Sequence, residues 1–144
     1  KSGETDTYVR IVNQPRYFIV ASVDNYGSNT TGFDRKILNG SFLSPAKIGD
    51  RVDGNYLASD GTDYGSLSYN IPISELGTKL GINGSLMTYK VTGGESKSLN
   101  LSGDSQSFGL NFSHPFYRSR TYNLSGVVSL EEKKIIKLYS KGYF

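Results

Sequence analysis

The chain has 144 residues, with 16 Lys and Arg against 13 Asp and Glu, a formal charge of +3, and no cysteine. The missing cysteines exclude disulfides, thiolate metal sites and cysteine catalysis, and a mild, dispersed basicity without a known fold signature gives nucleic-acid binding little support. The length suits one domain with a sizeable core, but 17 Gly, 11 Tyr, 7 Phe, no Trp and one Met are an odd composition for one.

The chain opens on a polar stretch, Lys1-Ser2-Gly3-Glu4-Thr5-Asp6, with no apolar segment behind it. Either targeting is absent or the natural N-terminus lies upstream. A first strand is expected over 15–24, where Tyr17 to Val23 alternate weakly. Asp24-Asn25-Tyr26-Gly27 then sets two turn-forming side chains before a glycine free to take positive φ, and the polar loop runs on to Thr31-Gly32. A strand over 33–43 leads to the turn Ser44–Asp50, with Pro45 at the strand end. A strand over 51–59 is followed by a polar, Gly-rich loop over 59–65. Over 66–73, Leu67, Tyr69, Ile71 and Ile73 interleave with Ser66, Ser68 and Asn70, and Pro72 marks a strand end or a bulge. After the turn Ser74–Thr78, a strand over 79–90 carries Leu80, Ile82 and Leu86 between Gly81, Asn83 and Ser85. A long polar loop is expected over 92–106, and then Phe108, Leu110 and Phe112 alternate with Ser107, Gly109, Asn111 and Ser113 in a strand over 106–113. The turn His114–Arg120 precedes a strand over 121–131 with Leu124 and Val128 on one side. Ile135–Phe144 would begin an eighth strand, and Leu130–Tyr139, without a clear cap, is the one helix candidate.

These strands share one trait: an apolar face backed by small, uncharged polar residues instead of Lys and Glu. Side chains on a strand alternate between faces, so the pattern suits a sheet with lipid on one side and a water-filled lumen on the other. No apolar run approaches a membrane helix, but a membrane strand needs only about 9–11 residues. The mean hydropathy of −0.39 fits a porin-like barrel or a soluble β-protein equally. Longer polar loops and tighter turns are expected to alternate strictly along the chain, as in a barrel with short turns on one membrane side. The alternative is a soluble, secreted β-sandwich binding module, whose apolar faces would meet across two sheets.

The search for catalysis is nearly empty. His114 is the one histidine, placed before Pro115 at an expected turn, and reads as a hydrogen-bonding turn residue, since a metal site needs further partners. Adjacent Glu131 and Glu132 face opposite ways on a strand and cannot flank one bond. Asp60 and Asp63 lack the further ligands of a Ca²⁺ loop. Asn-x-Ser/Thr triplets at Asn29, Asn39, Asn83, Asn100, Asn111 and Asn123 follow from an Asn/Ser-rich composition. Lys133, Lys134, Lys137 and Lys141 read as a solvated strand end or loop. No enzyme activity and no cofactor are expected.

The turns carry a resemblance. Asp24-Asn25-Tyr26-Gly27-Ser28 with Thr31-Gly32 resembles the barrel opening of the two-partner-secretion outer-membrane transporters of the ShlB/FhaC/HecB type. The Pro-containing turn ending in Ile48-Gly49-Asp50 is similar to the family's first short turn, though it reads Ser44-Pro45-Ala46 in place of Asn-Pro-Leu. Gly65–Tyr69 with Ile71-Pro72-Ile73 and Leu76-Gly77-Thr78 resembles its next hairpin, and Tyr89 its strand-end aromatic. Ser113-His114-Pro115-Phe116 with Arg118-Ser119-Arg120 is similar to its third short turn. The resemblance runs from about Gly3 to about Leu130 and implies that residues 1–14 end a periplasmic POTRA region and that 15–144 are the first portion of a transmembrane barrel. None of the family's two POTRA domains, its full sixteen strands or its Val-Arg-Gly-Tyr-type loop is present in these residues, which implies a piece that lacks the remainder of its own barrel. It further implies passive export of an unfolded partner protein, such as an adhesin, haemolysin or contact-dependent toxin, across the bacterial outer membrane. Lipid would then meet Leu67, Tyr69, Ile71, Ile82, Leu86, Phe108, Leu110, Phe112, Leu124 and Val128, with Tyr17, Tyr56, Tyr69, Tyr89 and Tyr122 as candidate girdle residues.

Overall fold

The computed structural model describes Tyr8 and residues 15–139. The strands are β1 (Tyr17–Asp24), β2 (Arg35–Leu43), β3 (Arg51–Ser59), β4 (Thr62–Pro72), β5 (Lys79–Lys90), β6 (Leu101–Arg118) and β7 (Asn123–Tyr139), with one 3-10 turn at Glu95–Leu99. They form a single sheet in chain order, each strand antiparallel to the next. This is the expected all-β up-and-down meander. Among the described residues there is no second sheet for a sandwich to pack against.

Opposite residues on paired strands share a face. Tyr17, Phe42, Val52, Tyr69, Ile82, Leu110 and Leu130 stand opposite one another in turn, so one apolar row crosses all seven strands. Yet no apolar side chain among the described residues is buried. Leu67, Leu86 and Leu130 are 61, 62 and 70% exposed, so this face awaits an apolar cover.

Several boundaries differ from the sequence expectation. Ser59 pairs with Thr62, so Asp60-Gly61 alone turns the chain where a loop over 59–65 is expected. Asp-Gly favours a two-residue hairpin, and Thr62, Asp63 and Tyr64 find ladder partners in Tyr89, Thr88 and Met87. The strict alternation of long and short connections therefore fails: the shortest of them lies at the same end of the sheet as the long loops 25–34 and 91–100.

β6 begins at Leu101, not 106, because β5 and β7 pair with Leu101–Ser105 from both sides. It also runs through His114 and Pro115 to Arg118, so those two residues belong to a strand and not to a turn. The ladder slips between Pro115 and Tyr117, a bulge that accommodates the missing proline N–H. Residues 131–139 continue β7 along β6, and form neither a helix over 130–139 nor a new strand at Ile135. Residues 140–144 of that expectation lie outside the described residues. Pro72 closes β4, as expected.

The β2–β3 turn is built around Asp50, which is 1% exposed. Its two carboxylate oxygens accept the Ala46 N–H at 3.2 and 3.1 Å, and one accepts the Tyr69 hydroxyl at 2.8 Å. The Ser44 hydroxyl accepts the Gly49 N–H at 3.0 Å, and Gly49 turns at φ 81°. Burial by itself would push the Asp50 carboxyl up. The hydrogen bonds from Tyr69 and from the Ala46, Asp50 and Ile48 backbone outweigh it and hold the pKa below the ordinary value of 3.8. A depressed folded value means the contribution is complete above 3.8 and is lost as pH falls through the lowered value. In the folded protein, amide exchange at Ala46, corrected for its intrinsic rate, should therefore accelerate between about pH 5 and about pH 2. Asp50→Ala should show the fast rate already at neutral pH; an unchanged Ala46 rate in that variant would detach Asp50 from the turn.

Candidate functional site

The site is the sheet itself, with its two faces and its loop end. Leu67, Tyr69 and Ile71 of β4, Ile82 and Leu86 of β5, Phe108, Leu110 and Phe112 of β6, and Leu124 and Val128 of β7 share the face of the apolar row. Tyr17 and Tyr56 join them. Tyr89 does not: it pairs with Thr62 and Gly103, stands on the opposite face, and lays its ring over Gly103. Tyr122 precedes β7 and is exposed.

The apolar surface is not perpendicular to the strands. Its limit toward the loop end lies at Val23 on β1, Leu86 on β5, Phe108 on β6 and Leu130 on β7, beyond which Thr88, Gln106 and Glu132 follow. The residue of β7 in the register row of Val23 is Ile136, six residues past Leu130. Toward the turns the surface shifts the same way, from Tyr17 on β1 to Leu80 on β5 and Leu124 on β7. At about 3.3 Å per residue and about 4.8 Å between strands, this displacement sets the strands roughly 35° off the normal of the apolar band. Strands of membrane barrels tilt by about 35–45°.

The opposite face carries Asn39, Asn55, Ser66, Ser85 and Ser107 in one row and Ser41, Asp53, Ser68, Asn83 and Gly109 in the next. Asn55 donates to Ser66 at 3.2 Å, and the Ser85 and Ser107 hydroxyls meet at 2.8 Å. Side chains lie flat over neighbouring glycines here: Asn70 and Asn111 over Gly81, and Asn83 over Gly109. On β1–β4 the charges of this face occur in pairs, Arg51 with Asp53 at 2.7 Å and Arg35 with Asp24 at 2.7 Å, and Lys79, Glu131 and Lys133 stand on the same face farther along the sheet. Nearer the loop end, Ile37, Leu57, Tyr64 and Met87 form an apolar row on this face, which the strand-by-strand pattern did not reveal.

The turn residues singled out in the sequence occupy three places. Asp24 grips Arg35 through both oxygens, at 2.7 and 2.9 Å, and accepts the Tyr26 N–H at 3.1 Å, which closes the base of loop 25–34. Asn25 and Tyr26 are exposed in this loop, and the Gly27 N–H reaches the Phe33 carbonyl at 2.9 Å. Gly27 is needed for close approach to Gly32 and Phe33 and not for positive φ, which belongs to Gly32 at 99°. Thr31 and Gly32 face the β3–β4 turn, while Gly49 and Asp50 lie at the opposite end of the sheet. His114 on β6 meets Thr78, the turn residue just before β5, at 2.8 Å, and its ring stands edge-on to Phe116 at 5.0 Å. Arg35, the partner of Asp24, was missed, although a basic residue opposite a turn-opening Asp is a readable signal. Among the described residues no group of His, Asp and Glu is placed to hold a metal ion.

Residues 3–140 match the family model described as haemolysin secretion/activation protein ShlB/FhaC/HecB. Similar curated proteins are the heme/hemopexin transporter protein HuxB of Haemophilus influenzae strain 86-028NP, 28% identical, and that of strain ATCC 51907, 27% identical, each over 137 residues. Each alignment covers 94% of this chain and 24% of the relative, so the chain spans about a quarter of the length of these curated relatives. No solved structure matches significantly. The family match covers all seven strands, and the chain belongs to the ShlB/FhaC/HecB family, the two-partner-secretion transporters of the Gram-negative outer membrane.

Proposed function

We propose that this chain forms the first strands of a transmembrane barrel that exports a large partner protein. The observation that carries the reading is the oblique apolar band. A sheet packed against another protein layer has no reason to shift its greasy surface steadily along successive strands, whereas a flat lipid slab crossed by tilted strands requires it. On this reading the apolar face, including the ten residues from Leu67 to Val128 named above, meets lipid, and the Asn/Ser/Gly face lines the lumen.

Residues 1–14 then close a periplasmic POTRA region, of which only Tyr8 lies among the described residues before Pro15. This puts the 44–50, 73–78 and 119–122 turns on the periplasmic side and the 25–34, 60–61 and 91–100 connections outside. The partner passes unfolded, and adhesins, haemolysins and contact-dependent toxins are candidate cargoes. The HuxB names add heme- or hemopexin-linked cargo to these. Transport down a lumen of this kind needs no cofactor. The open edges of β1 and β7 pair with the remainder of the same barrel, since unpaired main-chain groups are not tolerated in lipid.

Two pairs of variants in the full transporter test the assignment. Leu110→Arg should destabilise the assembled protein by about 2–4 kcal/mol while Asn111→Arg is mild, measured by denaturant unfolding in lipid. Equal tolerance at both positions would remove the lipid and lumen faces. The tilt makes a sharper demand, because Ile82 and Leu130 occupy one register row at different depths. Ile82→Arg should cost about 2–4 kcal/mol and Leu130→Arg about 0–1 kcal/mol; equal costs would mean that the band does not mark a bilayer.

A further inference from the structure

The three connections at the loop end are one hydrogen-bonded unit. The Thr31 carbonyl accepts the Gly61 N–H at 2.8 Å and the Ser59 hydroxyl at 2.9 Å. The Gly61 carbonyl in turn accepts the Lys90 N–H at 2.7 Å. One residue earlier, the Thr30 carbonyl accepts the N–H groups of Thr92 and Gly93 at 2.8 and 3.2 Å. Loop 25–34 thus crosses over the Asp60-Gly61 turn and reaches the start of the β5–β6 loop. The bonds are main-chain throughout, apart from the Ser59 hydroxyl.

Glycines make the crossing possible. A side chain on Gly61 would run into the Lys90 carbonyl, one on Gly93 into the Asn29 carbonyl, and one on Gly32 into Asp60. The approach is as close as backbone allows. Its side is also defined: Ser59 shares the polar face with Asn55 and Leu57, so its bond to Thr31 draws the loop toward that face. The next row toward the middle of the sheet holds the apolar residues Ile37, Leu57, Tyr64 and Met87, none of them strongly exposed. A Cβ on any of the three glycines would break the fit, which a loop meant to swing freely would not demand.

We propose that loop 25–34 is a permanent brace that ties the outer ends of β1–β6 together, narrows the outer mouth on the polar-face side, and stays in place while cargo leaves beside it. The narrowing rests on reading that face as a lumen; the bracing does not. The chain has no cysteine, so paired cysteines report cleanly once any elsewhere in the transporter are removed. Thr30→Cys with Thr92→Cys should be bridged by a short bis-maleimide in intact cells, while Thr30→Cys with Glu75→Cys, at opposite ends of the sheet, should not. The bridged protein should export its partner within about twofold of the singly labelled controls. Failure to bridge in protein that is folded by its electrophoretic heat shift would overturn the brace. Bridging with loss of export would overturn its permanence and make it a gate. Should the first pair disturb folding, Asn29→Cys with Thr92→Cys asks the same question and leaves the three glycines in place. If the unmodified transporter exports nothing, the export reading fails, and the bridging yield still decides the brace.

Discussion

Main-chain hydrogen bonding between neighbouring strands is the interaction on which the rest of this structure depends. In most domains the ladder and a buried apolar core support each other, but among the described residues no apolar side chain is buried. The sheet is held edge to edge by its six antiparallel pairings and by little across its faces. A ladder of this kind is strongest where water cannot compete for its groups. In hydrocarbon every N–H and C=O must be satisfied internally, and a sheet that closes on itself does so completely. The same surroundings supply what the apolar face lacks, so one environment answers both the missing core and the exposed Leu and Phe side chains.

The charges are placed in keeping with this. On the apolar face Lys36, Asp63, Asp104, Glu132 and Lys134 all lie toward the loop end, beyond the band. Asp63 accepts the Tyr56 hydroxyl at 2.9 Å and Asp104 the Thr88 hydroxyl at 2.8 Å, so the boundary is a hydrogen-bonded margin. At the other end Tyr69 reaches Asp50, an apolar ring with its polar tip on the turn. The margin descends along the sheet as the strands lean, and for that reason β6 and β7 run on past it. Their outer parts, 101–106 and 134–139, remain paired with each other beyond the greasy surface.

How much of this the sequence reveals depends on whether the cause is local. Alternation is local, and it located all seven strands, because residues such as Phe108, Leu110 and Phe112 carry their own period, but Tyr89 and the row Ile37, Leu57, Tyr64 and Met87 stand on the other face. Pro72 at a strand end is likewise a one-residue argument. The extent of β6 and β7 is not local: Leu101–Ser105 and Glu131–Tyr139 have loop-like or helix-like composition and become strand because each is the other's partner. The placement of His114 and Pro115 failed for the related reason that a bulge on β6 absorbs a proline that otherwise reads as a stop. Gly49 and Asp50 were found as a pattern, yet the burial of Asp50 and its bond to Tyr69, nineteen residues on, needed the hairpin to be folded first. The crossing of Thr30 and Thr31 to Gly61 and Thr92 left no periodic mark, only glycines that any loop could contain.

The polar face has a logic that its composition alone does not convey. A wall that lets an extended polypeptide slide must offer hydrogen bonds everywhere and hold none for long. Asn and Ser supply donors and acceptors without charge, and here they bond first to one another, as Asn55 does with Ser66 and Ser85 with Ser107. The glycines beneath Asn70, Asn83 and Asn111 let those amides lie down against the sheet and not project from it. On β1–β4 the formal charges of this face are tied in the pairs Asp24–Arg35 and Arg51–Asp53, so neither sign offers a trap to a passing charge on that part of the wall. Satisfaction within the wall weakens each contact a moving chain can make with it. A surface with these properties would be a poor binding site, and under the proposed export function that is what a conduit for an unfolded protein requires.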